Sequence, residues 1–190
     1  ALRKVGYYSG VIGKWHLGEW LKEHLPMQRG FMHQYGHYAW GIDYNTYTIE
    51  HNAPARFAVY DWHRNEKPLQ EEGYATDLFA AEAERVIAKQ TKDKPFFLYV
   101  PFNAVHGPLN KPPRYPGLDV RSAMLKCMDD AVGRIVSAID KQGLKENTLV
   151  ILCALCSHGW AYLRNTSCPL TSASAEVAAN HFSGVCVCVC

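Results

Sequence analysis

Two apolar runs separated by one long amphipathic stretch constrain this chain most. Phe96 to Val100 is a continuous apolar run of strand length, and Thr148 to Leu152 is a second. Between them, Arg121 to Gln142 carries Met124, Met128, Ala131, Ile135 and Ile139 at helical spacing, with Gly143 where a helix stop belongs. Strand, loop, long helix and strand make a βαβ unit, which predicts a parallel sheet with helices on its faces. A further strand is predicted over Tyr8 to Gly13, ending in a glycine turn. A second helix is predicted over Ala75 to Lys89, where Ala75, Leu78, Phe79, Ala83, Val86 and Ile87 mark one face and Lys94-Pro95 ends the pattern. Residues 18–73 have weak periodicity, many aromatics and several turn residues. They read as loops with short elements over one end of the sheet.

Ligands of open parallel sheets bind in the loops beyond the carboxyl ends of the strands. Gly13 to Gly18 and Asn103 to Pro108 both lie there, so Lys14, His16 and His106 should share one rim although they are distant in sequence. Lysine supplies a compact positive charge, histidine a donor or acid near neutrality, and the glycines let a ligand approach the backbone. The set suits a tetrahedral oxyanion. Taken singly, each residue also fits a plainer role: Lys14 on the surface, His16 packed, His106 hydrogen-bonded in its loop. Trp15, Trp20, Tyr35, Tyr38, Trp40 and Tyr44 could line a sugar or aryl pocket or could simply pack. Asp129-Asp130 sits inside a helix and reads as a solvated face rather than a catalytic pair.

The chain of 190 residues is long enough for one domain with a real core. A net charge of +2 argues against a dedicated nucleic-acid binder, and no apolar run is long enough to span a bilayer. The chain opens mid-pattern at Ala1 and its first methionine is Met27, as expected of a fragment whose true start lies upstream. Cys127 stands alone in the first part, whereas Cys153, Cys156, Cys168, Cys186, Cys188 and Cys190 crowd the end, which is not a disulfide scaffold. From residue 153 to 190 the texture changes to a Cys- and Ser-rich tail ending in Val-Cys repeats, the product a (GT)n repeat would encode. This tail is expected to be read-through without regular structure. The competing readings are a strand with alternating cysteines and a metal-binding tail. Asn165-Thr166-Ser167 matches a glycosylation sequon but lies within it.

The block GYYSGVIGKWHLG, Gly6 to Gly18, resembles the second signature of the sulfatase family. LPMQRGFMHQYGHYAWGIDY resembles the stretch that follows in sulfatases of the arylsulfatase B (N-acetylgalactosamine-4-sulfatase) type. GYATDLFAAEAERVI, KPFFLYVPFNAVHGPL and MLKCMDDAVGRIVSAIDKQGLKENTLVI continue the series in order. The resemblance implies a partial sulfatase N-terminal domain over residues 1–152, with an alkaline-phosphatase-like α/β fold. It implies hydrolysis of sulfate esters, possibly of sulfated glycans, by a formylglycine nucleophile and a calcium ion. A secreted, periplasmic or lysosomal location is implied as well. By motif position, Lys14 would contact sulfate and formylglycine, His16 would support the formylglycine hydroxyl, and His106 would stand at the bridging oxygen as acid or sulfate contact. The chain departs from the family in carrying no C-x-P-x-R or C-x-A-x-R motif and no early metal-binding aspartates. Where Ser-Asp-Asn-Gly should follow NTLVI it reads LCALCSHG, so Leu155 and Cys156 stand in place of the acid and amide. No metal ligand is assigned, and the chain is expected to be inactive alone. Two alternatives remain: a non-catalytic binder of sulfated glycans, and a phosphodiesterase or phosphonate hydrolase of the same superfold.

Overall fold

The computed structural model describes residues 1–49, 59–156, 159–164 and 185–189, from Ala154 onward as backbone only. The central strand β1, Tyr8–Lys14, is buried over five consecutive residues. It lies parallel to β2, His33–His37, on one side. On its other side it lies parallel to β7, Phe96–Tyr99. The short strands β5, His63–Arg64, and β6, Lys67–Pro68, add antiparallel edges, giving the order β6-β5-β2-β1-β7. Thr48–Ile49 (β3) and Val59–Tyr60 (β4) pair separately. The sheet is therefore parallel at its centre and antiparallel at one edge.

Helix α1, Ala75–Ile87, buries Phe79, Ala80, Ala83, Val86 and Ile87 against the sheet face that carries Ile12, Tyr35 and Leu98. Helix α2, Val120–Lys141, joins the same core through Met124, Cys127, Met128, Ala131, Ile135 and Ile139. Its start is capped by Asp119, whose carboxylate accepts from the N–H groups of Arg121 and Ser122 at 3.0 and 3.1 Å. Its end is closed by Gly143 at φ +70°, with Leu144 N–H donating back to the Ile139 carbonyl. Both helices thus share one face. The opposite face holds a smaller cluster of Val11, Trp15 and Tyr38, covered by Leu25, Phe31 and Tyr99.

Two features differ from the sequence reading. Strand β2 lies fully buried inside a region read as loops. Strand β8, Val150–Cys156, does not close a parallel βαβ unit. It forms a separate antiparallel sheet with β9, Gly159–Arg164, and β10, Val185–Val189, in the order β10-β8-β9. The reason is local: Ile151 pairs with Arg164 on one edge and Cys188 on the other, so β8 has no edge left for the main sheet. The tail, expected to lack regular structure, supplies both partners, because alternating Val-Cys has the two-residue period of a strand. The sequon and Cys168 lie outside the described residues.

One buried carboxylate ties α1 to the sheet. Glu82 meets His33 of β2 at 2.8 Å, Arg64 of β5 at 3.1 Å, and Arg85 one turn further along α1. Burial pushes its pKa up, but hydrogen bonds from Arg85 and His33 and the charge of Arg64 outweigh this and hold it far below its ordinary 4.5. A depressed pKa contributes stability that is present above 4.5 and is lost as pH falls toward the folded value. Glu82→Gln should cost about 2 kcal/mol at neutral pH, the partial exposure of both guanidiniums holding the figure below that of a fully buried pair. The gap between variant and parent should narrow on acidification below pH 4.5, as read by urea denaturation across pH.

A second constraint lies where the strands end. Gly13 has φ +133°, and a Cβ there would stand 2.1 Å from the Pro101 carbonyl oxygen. Its ladder partner Gly36, at φ +122°, would put a Cβ 2.4 Å from the Gly13 oxygen. Gly13→Ala should therefore lose at least about 2 kcal/mol of stability, whereas Gly117→Ala, which has open space and an ordinary φ, should stay within about 0.5 kcal/mol. Equal midpoints in thermal denaturation would refute this.

Candidate active site

The rim is built where β1 leaves the sheet. Lys14 N–H donates to the Pro101 carbonyl, Trp15 N–H to that of His37, and His16 N–H to that of Tyr38, each at 2.9 Å. The chain between Lys14 and His16 is pegged by Trp15, which is buried edge-on against Phe31 with its Nε1–H on the His24 carbonyl at 3.0 Å. With Trp15 turned inward, Lys14 is left half-buried and His16 exposed, the latter in the left-handed region at φ 48°. Strand register and a single buried indole thus set the directions of both polar side chains.

His106 arrives from the loop after β7. Its backbone N–H donates to Asn103, its carbonyl accepts from the Tyr44 hydroxyl at 3.0 Å, and its ring Nδ1 lies 2.7 Å from the Gly107 carbonyl. Because a carbonyl can only accept, Nδ1 carries the proton and Nε2 is the nitrogen left to exchange one. Gly41 makes room for this ring: a Cβ there would sit 3.5 Å from Nδ1 and 3.1 Å from the Gly107 oxygen. Trp40 stands edge-on to His106 with ring centroids 5.7 Å apart.

The three candidates feel one another. Burial, Lys14 and His106 push the His16 pKa down, while Glu19 opposes them. Burial also lowers that of Lys14. Lys14 is thus a partly desolvated cation beside a His16 ring held toward its neutral form, and an oxyanion placed there would favour the charged form of both.

Sequence reasoning missed the next layer. His37 is fully buried, pairs in register with Lys14, and stacks on Phe79 at 6.4 Å. Burial pushes its pKa down against the pull of Asp61, and Lys14 and His16 push the same way, so the imidazole is neutral at pH 7. Asp61 accepts from the N–H groups of Tyr38 and Ala39 at 3.0 and 2.8 Å and meets His63 at 3.2 Å. Burial disfavours its charge, but His63, His37 and the two amides keep it ionised. Neither ring nitrogen of His37 and neither amide atom of Asn103 makes a hydrogen bond of good geometry among the described residues. The alternation His33, Tyr35, His37 was the available signal: a polar side chain on the buried face of a strand.

The other candidates separate cleanly. Asp130 pairs with Lys126 and with Arg114 at 3.7 Å, and Asp129 with Lys126 at 3.6 Å, the solvated face expected. Cys127 is buried in α2, and burial together with Asp77 pushes its thiol up to about 12, which rules it out as a ready nucleophile.

The sulfatase pattern matches residues 1–154. The chain belongs to the sulfatase family. It is 32% identical over 162 residues to arylsulfatase J of Mus musculus, covering 79% of this chain and 27% of that protein. It is 29% identical over 161 residues to N-acetylgalactosamine-6-sulfatase of Homo sapiens, covering 78% and 30%. Among solved structures, Ps i-CgsB in complex with k-i-k-neocarrahexaose superposes with a TM-score of 0.66 at 26% identity, covering 79% of this chain and 37% of that one. The PsFucS1 sulfatase from Pseudoalteromonas sp. gives 0.63 at 25%, covering 79% and 35%. This sulfatase chain thus spans under a third of the length of the curated relatives it matches, and its mixed sheet with packed helices is the alkaline-phosphatase-like α/β fold.

Sulfatases generally use a formylglycine and a calcium ion. The residues at this rim do not fit calcium: they offer lysine and imidazole nitrogens, whereas calcium takes carboxylate and carbonyl oxygens. Among the described residues no group of three or more His, Cys, Asp or Glu could hold a metal. Leu155 and Cys156 fall on β8 in the second sheet.

The mutual repulsion makes a testable prediction. Lys14→Ala should raise the His16 pKa, since the lysine charge is one of the groups that lowers it, and NMR titration of the His16 ring should record an upward shift. An unchanged midpoint would mean that Lys14 and His16 do not share the rim.

Proposed function

We propose that this chain is the oxyanion-holding part of a sulfatase that hydrolyses sulfate esters of glycans. Lys14, His16 and His106 gather one sulfate group. What supports this reading is that Lys14 and His16 leave the end of β1, that Lys14 N–H bonds the Pro101 carbonyl five residues before His106, and that Lys14 and His106 both act on the His16 ring. Lys14 neutralises sulfate oxygens as a point charge. Its partial burial strengthens that contact relative to a lysine in open water. His16, on the same turn, adds a hydrogen-bond donor when protonated. His106 presents Nε2 to the bridging oxygen, where a proton held on that nitrogen would pass to the departing alcohol. The nucleophile and the metal site are no part of the described residues, so the chain by itself binds the ester without turning it over. A relative named N-acetylgalactosamine-6-sulfatase and a neighbour solved with a neocarrahexaose support a sulfated sugar as the substrate. A secreted, periplasmic or lysosomal setting accords with the family. The described helices include none long and apolar enough to cross a membrane.

The test is calorimetric binding of inorganic sulfate and a sulfated galactosamine to the chain, beside an aryl-sulfate turnover assay. Binding should weaken at high salt and fall about tenfold or more in Lys14→Ala. It should strengthen as pH falls through the lowered His16 pKa, because an anion favours the protonated ring. Turnover should be absent with or without calcium. Turnover abolished by Lys14→Ala, or binding indifferent to that substitution, would overturn the reading.

A further inference from the structure

Six aromatic side chains near the site's sequence motifs could have lined a sugar pocket, and the structure sorts them. Trp15, Tyr35, Tyr38 and Tyr44 are buried and committed to the cores or to the His106 loop. Trp20 is 90% exposed on the loop after His16. Trp40 sets its ring against that of a site residue, at a steep angle to the His106 imidazole. Its neighbours Ala39 and Gly41 are buried, so the backbone is anchored while the Trp40 residue keeps part of its surface exposed. Asp61 fixes that backbone by accepting from Ala39 N–H at 2.8 Å, and the close fit of Gly41 to His106 fixes the spacing of indole and imidazole.

We infer that Trp40 is the stacking platform for the pyranose ring that carries the sulfate ester. The inference rests on the sulfate-ester reading of Lys14, His16 and His106. In a sugar sulfate the bridging oxygen is bonded directly to a ring substituent. With that oxygen about 3 Å from His106 Nε2, the centre of the sugar ring lies roughly 5–6 Å from the imidazole. Trp40 stands at a comparable distance from the imidazole, its centroid at 5.7 Å, which is close enough for a ring held there to lie alongside the indole. A pyranose presents one apolar face of C–H groups and a rim of hydroxyls. An indole offers a rigid apolar plane with a polar N–H at one end, which matches that ring and gives inorganic sulfate nothing to hold. Trp40 therefore separates a sugar sulfate from a free sulfate ion, a discrimination that Lys14 and His16 cannot make.

The experiment compares three probes on the whole chain: inorganic sulfate, N-acetylgalactosamine 6-sulfate and unsulfated N-acetylgalactosamine. Trp40→Ala should weaken the sulfated sugar about tenfold and leave inorganic sulfate within about twofold, while Trp40→Phe keeps most of the sugar affinity. Unchanged sulfate binding also certifies that the Trp40→Ala rim has folded. Should the variant lose both sulfated probes equally, Trp40 merely props His106 and the platform is refuted. An unaltered affinity for the sugar sulfate refutes it too. If the parent chain binds neither sulfated probe, the sulfate-ester reading itself fails and takes the platform with it.

Discussion

The candidate rim depends on the approach of three backbone segments to within van der Waals contact at Gly13. The Pro101 carbonyl and Gly36 press on it from either side, where any side chain would collide. Only because β1 lies that close to the chain after β7 can Lys14 N–H bond to the Pro101 carbonyl, and only five residues later does His106 appear. The same closeness on the other flank lets the His37 and Tyr38 carbonyls hold Trp15 and His16. A glycine pair in register thus acts as the pivot that turns a buried strand into a presenting loop.

Beneath half-buried Lys14 and exposed His16 lies an arrangement of different electrostatic character. Asp61 is buried yet ionised, because two backbone amides and His63 donate to it. His37 is buried and neutral, because nothing beside it offsets both the loss of water and the charges of Lys14 and His16. The rim consequently stands on a buried polar layer in which the Asp61 charge is met by its own partners, while Lys14 carries its charge at the end of β1. Glu82 plays the corresponding role further down the sheet, where one carboxylate gathers His33, Arg64 and Arg85 and locks α1 across β2 and β5.

The second sheet illustrates how a partial sulfatase chain satisfies its own backbone. Strand β8 has the apolar composition of a sheet centre, and its N–H and C=O groups need partners on both edges. Gly159–Arg164 and Val185–Val189 provide them, one along each edge. Leu155 and Cys156 are thereby held on a strand paired along both sides, in a sheet apart from the one that ends in Lys14.

Much of this was legible in the residues. The two helices follow from apolar spacing, the stop at Gly143 from its freedom to take a positive φ, the strand β1 from a short stretch ending in a glycine turn, and β7 from a continuous apolar run. The rim position of Lys14, His16 and His106 follows from the rule that loops at strand carboxyl ends converge. Strand β2 was not legible, because His33, Gln34 and His37 are polar side chains whose burial depends on partners far away in sequence, among them Asp61 and Glu82. Nor was the fate of the aromatics, since composition cannot say which ring faces a core and which faces His106. By itself, then, the sequence determined the local elements, the family and the identity of the charged groups, all of which depend on spacing and residue chemistry. Tertiary structure alone decided which polar residues are buried and ionised, which edge β8 uses, and that Trp40 stands beside His106, because these depend on contacts between residues that only folding brings together.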